Sequence, residues 1–203
     1  MNRESLILIG AGGHAKSCID VIEQQGIYEI FGIIGLENEL GKKINDYEII
    51  GIDEDLPKFA KFAKLALVSI GQIKTPKLRT TLFTKAILAG FDLARVVSPL
   101  AYVSKTAKIG NGTIIMHRAV INSGVSIGNN CIVNSNALIE HDAQIADHCH
   151  ISTGAIVNGE VKIENGCFIG SGSVIKEGVR ISENSFVGMG TPIRSDITKL
   201  QVD

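Results

Sequence analysis

The sequence predicts two parts, a small parallel α/β domain followed by a hexapeptide β-helix, and three observations carry that expectation. Ile or Val occupies every sixth position from Val103 to Ile193, sixteen positions without a break. Four residues after each comes a mostly small residue, from Ala107, Thr113 and Ala119 to Ser185, Thr191 and finally Ile197. The first hundred residues lack this register; there apolar runs alternate with amphipathic stretches. A helix repeats at 3.6 residues and a strand at 2, so neither produces a period of six. A β-helix does, because each six-residue side turns the chain through a third of a circle and three sides close one coil.

In chain order, "SLILIGAGGHAKSCIDVIEQQG" reads as an apolar strand, a glycine turn and a helix. Ala15, Cys18, Ile19 and Ile22 share one face of that helix at i, i+3, i+4 and i+7. "YEIFGIIG", "YEIIG" and "AKLALVSIG" read as three further strands, and a helix is expected from about Pro76 to Ala89. Strands alternating with helices point to a parallel sheet. "ARVVSP" leads into the repeats, which places the boundary near Ser98–Pro99 and the domains at 1–98 and 99–203.

The chain has 203 residues, 45% of them hydrophobic, and 22 glycines, which describes a turn-rich globular protein. A net charge of −1 without a Lys/Arg cluster gives no reason to expect nucleic acid. The apolar segment 6–13 is too short to cross a bilayer. Glu4 before it and a glycine loop after it argue against a signal peptide, so no membrane partner and a cytoplasmic location are expected.

Cys131, Cys149 and Cys167 are spaced by eighteen, one full coil, at the small position. They should stack in one interior column between Thr113 and Ser185, with coils about 4.8 Å apart. That ladder suits buried free thiols used as small hydrophobes better than a tetrahedral metal site, so no metal is expected.

The glycine turn, Gly10-x-Gly12-x-x-Ala15, is close to a dinucleotide fingerprint. The acidic residue that should follow the second strand is missing, since Gly35 and Leu36 stand there, which argues against NAD. What remains is a helix N-terminus able to offer backbone N–H groups to a phosphate. His14 either meets that ligand or caps the helix.

The sixth position of each hexad should point outward, in three columns. Lys108, Ser126, Gln144, Lys162 and Arg180 are polar; Val120, Leu138, Ile156, Val174 and Pro192 are apolar; Ile114, Ile132, His150, Phe168 and Phe186 are apolar but for one histidine. Two outward apolar faces on a three-sided prism predict packing about a three-fold axis, hence a homotrimer. On this reading the His150 column meets another subunit, where His150 either satisfies a hydrogen bond or lines a ligand groove. His141 stands at an outward corner with Asp142 beside it; an imidazole can take a proton from an amine or hydroxyl, and a carboxylate can orient it and raise its basicity. His117 and His148 are read as structural.

"GAGGHAK" ahead of uninterrupted repeats carrying "ALIEHDAQI" and "HCHISTGAIVNGEV" resembles the sugar O-acyltransferase family, with its sialic acid O-acetyltransferase NeuD-like and UDP-amino-sugar N-acetyltransferase PglD-like members. The resemblance implies a Rossmann-like N-terminal domain, a left-handed parallel β-helix, a trimer and acetyl-CoA as cosubstrate at the subunit junction. It implies His141 as general base with Asp142 increasing its basicity, and acetyl-CoA contacts at His150, Ser171 and Met189. Gly12, Gly13, His14 and Gly71 match the nucleotide-sugar contacts of PglD-like members, and Asn134 a position near the substrate. The chain departs from that pattern at Gly35 and Leu36, where the family is acidic, and after "GMGTPIRSDI", where the family's GxPAK segment does not follow; its contacts to CoA are expected to be lost or replaced.

The implied reaction is direct. His141 removes a proton as the sugar nitrogen or oxygen attacks the thioester carbonyl, a backbone N–H stabilises the oxyanion, and a free thiol leaves. The expected acceptor is a nucleotide-linked 4-amino sugar, with UDP as nucleotide. O-acetylation of a sialic-acid-like sugar is the enzymatic alternative, and a nucleotide-sugar-binding scaffold without chemistry the non-enzymatic one.

Overall fold

The computed structural model describes residues 3–198, together with the backbone of residues 201 and 202. The expectation about the missing C-terminal segment therefore falls partly on residues 199, 200 and 203, which lie outside the described residues.

The N-terminal sheet is built from β1 (Glu4–Ile9), β2 (Tyr28–Ile34), β3 (Lys43–Ile44), β4 (Tyr47–Gly51), β5 (Leu65–Val68) and β6 (Asp92–Leu93), in the order β3-β4-β2-β1-β5-β6. All neighbours are parallel except β3 and β4. β1 is central and covered on both faces, so it reads as a continuous apolar run rather than an alternating one; Leu6 to Ile9 are fully buried. Helix α1 (Gly13–Gln25) buries Ala15, Cys18, Ile19, Val21 and Ile22, the expected face with Val21 added. It ends at Gly26, whose φ of 71° places its N–H on the Ile22 carbonyl at 3.0 Å. The short α2 (Leu56–Phe59) and the longer α3 (Lys77–Leu88) cover the opposite face, packing on Ile7 and Ile9.

The chain leaves β6 at Leu93 and enters the coil at Val96–Val97, which pairs with Ile114–Ile115. From there two-residue strands stack in parallel every eighteen residues into a left-handed β-helix with three faces. Face I runs from Val96–Val97 through Ile132–Val133 and His150–Ile151 to Phe186–Val187; face II from Tyr102–Val103 through Leu138–Ile139 to Pro192–Ile193; face III from Lys108–Ile109 to Arg180–Ile181. The interior is one continuous cluster of the hexad aliphatics and the small residues. Thr113, Cys131, Cys149, Cys167 and Ser185 form the expected buried column, and the cysteines are free. Their thiols are spent locally: Cys131 Sγ donates to the Ala146 carbonyl at 3.1 Å and Cys149 Sγ to that of Glu164 at 3.0 Å.

One feature of the hexad has no counterpart in the aliphatic register. The residue three places after each aliphatic, from Gly112 to Gly190, has positive φ in every hexad. Seven of these corners are glycine and the others include Asn130, Asn136, Asp142 and Asn184. Glycine pays nothing for this left-handed conformation, and Asn and Asp tolerate it. Arg118, His148 and Glu160 take it too, held by the coils above and below.

The outward columns come out differently from one another. On face III, Lys108, Gln144, Lys162 and Arg180 are exposed. On face II, Val120, Leu138 and Ile156 are half-buried and Val174 and Pro192 exposed. On face I, Ile114, Ile132 and His150 are buried within the chain itself: α1 and the N-terminal sheet cover the two isoleucines in a shared core with Ile19, Ile22 and Met116, and the loop carrying Gln72 meets His150. The expectation that the His150 column meets another subunit is thus corrected: its upper part is covered by the chain's own N-terminal domain.

Thiol chemistry checks this core. All four cysteines are buried, and burial pushes the Cys18 thiol up to about 12. An aromatic disulfide reagent should find no fast-reacting thiol in the native protein and four after denaturation; a fast thiol in the native state would contradict the stacked column.

Candidate functional site

Three groups of residues assemble around the coil. The first lies at the C-terminal ends of β1 and β5, where connections depart to opposite sides of the sheet and open α/β sheets bind their ligands. Gly10 follows β1 with φ 115°, and a Cβ there would collide with Ile70, so the turn needs glycine. Ser69 Oγ donates to the Gly10 carbonyl at 2.6 Å and ties the turn to the loop after β5. Gly12 and Gly13 begin α1 with open space where side chains would be. A cavity of about 270 Å³ opens here, lined among others by Gly10, Gly12, Gly35, Leu36, Glu39, Asp53 and Leu78. Glu39 and Asp53 are acidic residues that sequence reasoning missed. It looked for acid directly after β2, whereas Glu39 returns through a single turn, its Oε2 accepting from Leu36 N at 2.9 Å. Asp53 arrives from beyond β4 and pairs with Lys85 Nζ at 2.9 Å.

His14 makes no helix cap, since the Ncap is Gly12 with no side-chain cap bond. Its ring turns into the seam between the domains, where Nε2 is buried with no partner among the described residues. Burial, then the nearby charge of Arg79 and then His150, lower it to about 3. Gly71 faces it, a Cβ there lying 3.8 Å from that of His14.

The second group joins this seam to the coil. Arg79, fully buried on α3, donates to the carbonyls of Val68 at 2.7 Å, Ile70 at 2.8 Å and Asn130 at 3.2 Å. It thereby fixes the loop after β5 against the β-helix. The next residue in that loop but one, Gln72, accepts at its carbonyl from His150 Nδ1–H at 2.6 Å. That bond leaves His150 Nε2 as an acceptor, facing Asn134 Nδ2 at 3.3 Å, while Asn134 Oδ1 accepts from Ser135 N at 2.8 Å. Burial lowers His150 to about 4, so it is neutral at physiological pH. Below it, Ser152 and Ser171 share a hydroxyl bond of 2.9 Å, and the exposed Met189 follows Ser171 at the same corner one coil on.

The third group is the corner between faces II and III. His141 Nδ1 and Asp142 Oδ2 are 3.0 Å apart and both side chains are exposed. The hydrogen bond to Asp142, reinforced by the charges of Asp142, Glu140 and Glu160, holds the imidazole above its ordinary value. An open groove of about 410 Å³ is lined by Glu140, His141, Asn158, Gly159, Glu160, Glu177 and Gly178. His141 and Asp142 are thus brought together, as are Asn134 and His150, and Gly12, His14 and Gly71. One chain does not bring the His141 corner to the other corner. Face II lies between them, with His141 and Asp142 at one edge and Asn134, Ser171 and Met189 at the other.

The remaining histidines hold structure. His117 bridges Ser98 Oγ and Asp20 Oδ2, each at 2.7 Å, and His148 Nδ1 lies 3.0 Å from Asn130 Nδ2 with its ring edge-on to Phe83. Among the described residues no group of three or more His, Cys, Asp or Glu could hold a metal ion, and no helix is long and apolar enough to cross a membrane.

Comparison with known proteins places this geometry. The PglD N-terminal domain family matches residues 5–85, and the GMPPB C-terminal domain family matches residues 96–195. A solved structure of perosamine N-acetyltransferase from Caulobacter crescentus, a histidine-to-asparagine mutant in complex with CoA and GDP-perosamine, superposes with a TM-score of 0.90. It is 28% identical, over 95% of this chain and 90% of that one. The acetyltransferase domain of PglB from Neisseria gonorrhoeae FA1090, in complex with acetyl coenzyme A, gives a TM-score of 0.87 at 28% identity, over 97% and 93% of the two chains. WeeI from Acinetobacter baumannii AYE, at 22% identity and a TM-score of 0.74, shares the fold. An uncharacterized protein of Acanthamoeba polyphaga mimivirus is 33% identical over 108 residues, 53% of this chain; the chain spans only a fifth (20%) of that relative.

Protonation separates the histidines. An NMR titration should find His141 protonating above 6.5 and His150 protonating near 4. Unfolded imidazoles titrate near 6.5, so the buried His14 and His150 contribute stability that is complete above that pH and lost as pH falls toward 4. Thermal unfolding should accordingly occur at lower temperature as the buffer is taken from pH 7 to pH 4.5; an unchanged midpoint would contradict buried neutral imidazoles.

Proposed function

Because this chain is a PglD-like sugar acetyltransferase of the hexapeptide-repeat superfamily, we propose that it moves the acetyl group of acetyl-CoA to the amino nitrogen of a nucleotide-linked 4-amino sugar, with uridine diphosphate as the nucleotide. The observation that carries this reading is the His141–Asp142 pair, exposed in an acidic groove with Nδ1 engaged and Nε2 left to accept a proton. The acceptor ammonium first gives one proton to solvent; the neutral amine then attacks the thioester carbon, the carbon–sulfur bond breaks, and the second proton passes through His141 Nε2 to the departing thiolate, which leaves as the thiol. Glu140, Glu160 and Glu177 around the groove favour an acceptor that arrives as an ammonium over a neutral hydroxyl sugar.

The glycine turn and its cavity receive the nucleotide. Gly12 and Gly13 offer N–H groups at the start of α1 to the diphosphate, His14 and Gly71 border it, and Glu39 and Asp53 supply the carboxylates missing after β2. The related perosamine enzyme was crystallised with a GDP-linked sugar, so uridine and guanine nucleotides belong in the same assay. Asn134 approaches the sugar, and His150, Ser171 and Met189 line the course of acetyl-CoA. His150 acts there as a fixed, neutral group.

Because the His141 corner and the Asn134–Met189 corner flank face II, the apolar stripe of Val120, Leu138, Ile156 and Val174 is the surface on which three copies pack. That arrangement sets one copy's His141 beside the other edge of its neighbour, in a soluble cytoplasmic trimer. The mass in solution should be three times 21.7 kDa; a stable monomer would leave the site open and contradict the shared arrangement.

Thiol release from acetyl-CoA, followed with UDP- and GDP-linked amino sugars and with sialic acids, tests the acceptor. Release with the amino sugars is expected, release with sialic acids alone would move the chain to O-acetylation, and silence with every acceptor would favour a binding scaffold. His141→Ala should lower turnover roughly 10²–10⁴-fold; turnover within about two-fold of wild type would remove His141 from the mechanism. Asp142→Asn keeps an acceptor oxygen but withdraws the carboxylate charge that helps raise the imidazole, so the acidic limb of the rate profile should move to lower pH while the plateau falls. His150→Ala should chiefly raise the KM for acetyl-CoA.

A further inference from the structure

We propose that Gly159 is a positioning residue for the transfer reaction, and that the absence of a side chain there is what seats the His141 imidazole. The inference rests on the reading of His141 as the general base. Gly159 occupies the corner of the next coil, eighteen residues after His141, in the same column. A Cβ built on it would lie 2.8 Å from His141 Cε1, 2.8 Å from Nε2 and 3.4 Å from Cδ2. The ring therefore lies across the bare Cα, and Gly159 is buried although it sits on a corner of the coil. The edge held closest carries Cε1 and Nε2, and Nε2 is the nitrogen left free once Nδ1 has engaged Asp142.

Two features mark this as a seat. Gly159 does not have positive φ, so its backbone conformation is one that alanine adopts without strain. The corners that need glycine for conformation are one place further on, such as Gly154 and Gly172. Nor does anything other than His141 stand among the three nearest atoms that a methyl at 159 would meet. Asp142 is accommodated in the opposite direction: it leans back on Gly124 of the preceding coil, where a Cβ would collide with its Oδ1. The pair is thus held between two glycines, His141 forward and Asp142 backward, and their 3.0 Å bond closes across the corner.

Gly159→Ala tests this. The methyl should push the ring off its seat and break the bond to Asp142 while leaving the coil intact. With an amino-sugar acceptor, kcat should fall about tenfold or more with the KM for acetyl-CoA nearly unchanged, and the circular dichroism and melting temperature should stay those of wild type. In a His141→Ala background the same substitution should change kcat by less than about two-fold, because the group it acts through is gone. An equal loss in both backgrounds would overturn the proposal.

A second readout does not depend on the chemistry. The His141 titration, assigned by its absence in His141→Asn, should move down toward the ordinary imidazole value in Gly159→Ala, with Glu140 and Glu160 still facing the ring. An unmoved titration overturns the seat. Should His141→Ala retain turnover, the base reading falls, and the titration still decides whether Gly159 holds the ring.

Discussion

The coil and everything carried on it depend on one constraint: a six-residue side of a β-helix cannot bury its own interior and is stable only when stacked on its neighbours. The register of eighteen residues per coil follows from that stacking. Each interior aliphatic sits over the one a coil before, Ile139 over Ile121 and under Val157, and a shift by one residue would turn the whole set outward. Side chains at the corners inherit the same order. His141 finds Gly159 and Asp142 finds Gly124 because columns are repeated with the same rigidity as the core.

The left-handed corner residue explains why chemistry can sit on so regular a scaffold. Asp142 occupies the corner position that takes positive φ in each hexad from Gly112 to Gly190. The carboxylate leans back onto the preceding coil, and the imidazole before it leans forward onto the next. The same left-handed backbone recurs at the other corners from Gly112 to Gly190, but at none of them does a histidine precede a carboxylate. The hydrogen-bonded His141–Asp142 pair is produced by residue choice at a position the backbone already provides.

The domain seam is a different kind of construction. Arg79 is buried without a carboxylate partner; its Nε and Nη1 donate to three carbonyls, two on the sheet side and one on the coil, while Nη2 has no partner among the described residues. Burying such a charge is costly unless it is bonded in this way. In return the loop that closes the glycine turn is held rigidly, and the same loop carries the carbonyl that fixes the His150 ring. The two regions assigned to nucleotide sugar and acetyl-CoA are therefore joined through residues 69–72 rather than by chain proximity.

The hexad pattern by itself determined the β-helix, its interior cysteine column and the His141–Asp142 corner, because all of these follow from a period that the sequence displays directly. The strand–turn–helix order of the N-terminal part, and Gly10 as its turn, were legible for the same local reasons. Tertiary structure alone decided which outward face stays free. Ile114, Ile132 and His150 read as an exposed stripe in the coil, and only the docking of the N-terminal domain, α1 over the isoleucines and the Gln72 loop at His150, shows that the chain covers them itself. It also decided where the acids of the glycine-turn cavity come from, since Glu39 and Asp53 reach it from loops whose path no periodicity encodes. Contacts within a repeat are set by spacing along the chain, whereas contacts between two folded units depend on how their surfaces meet.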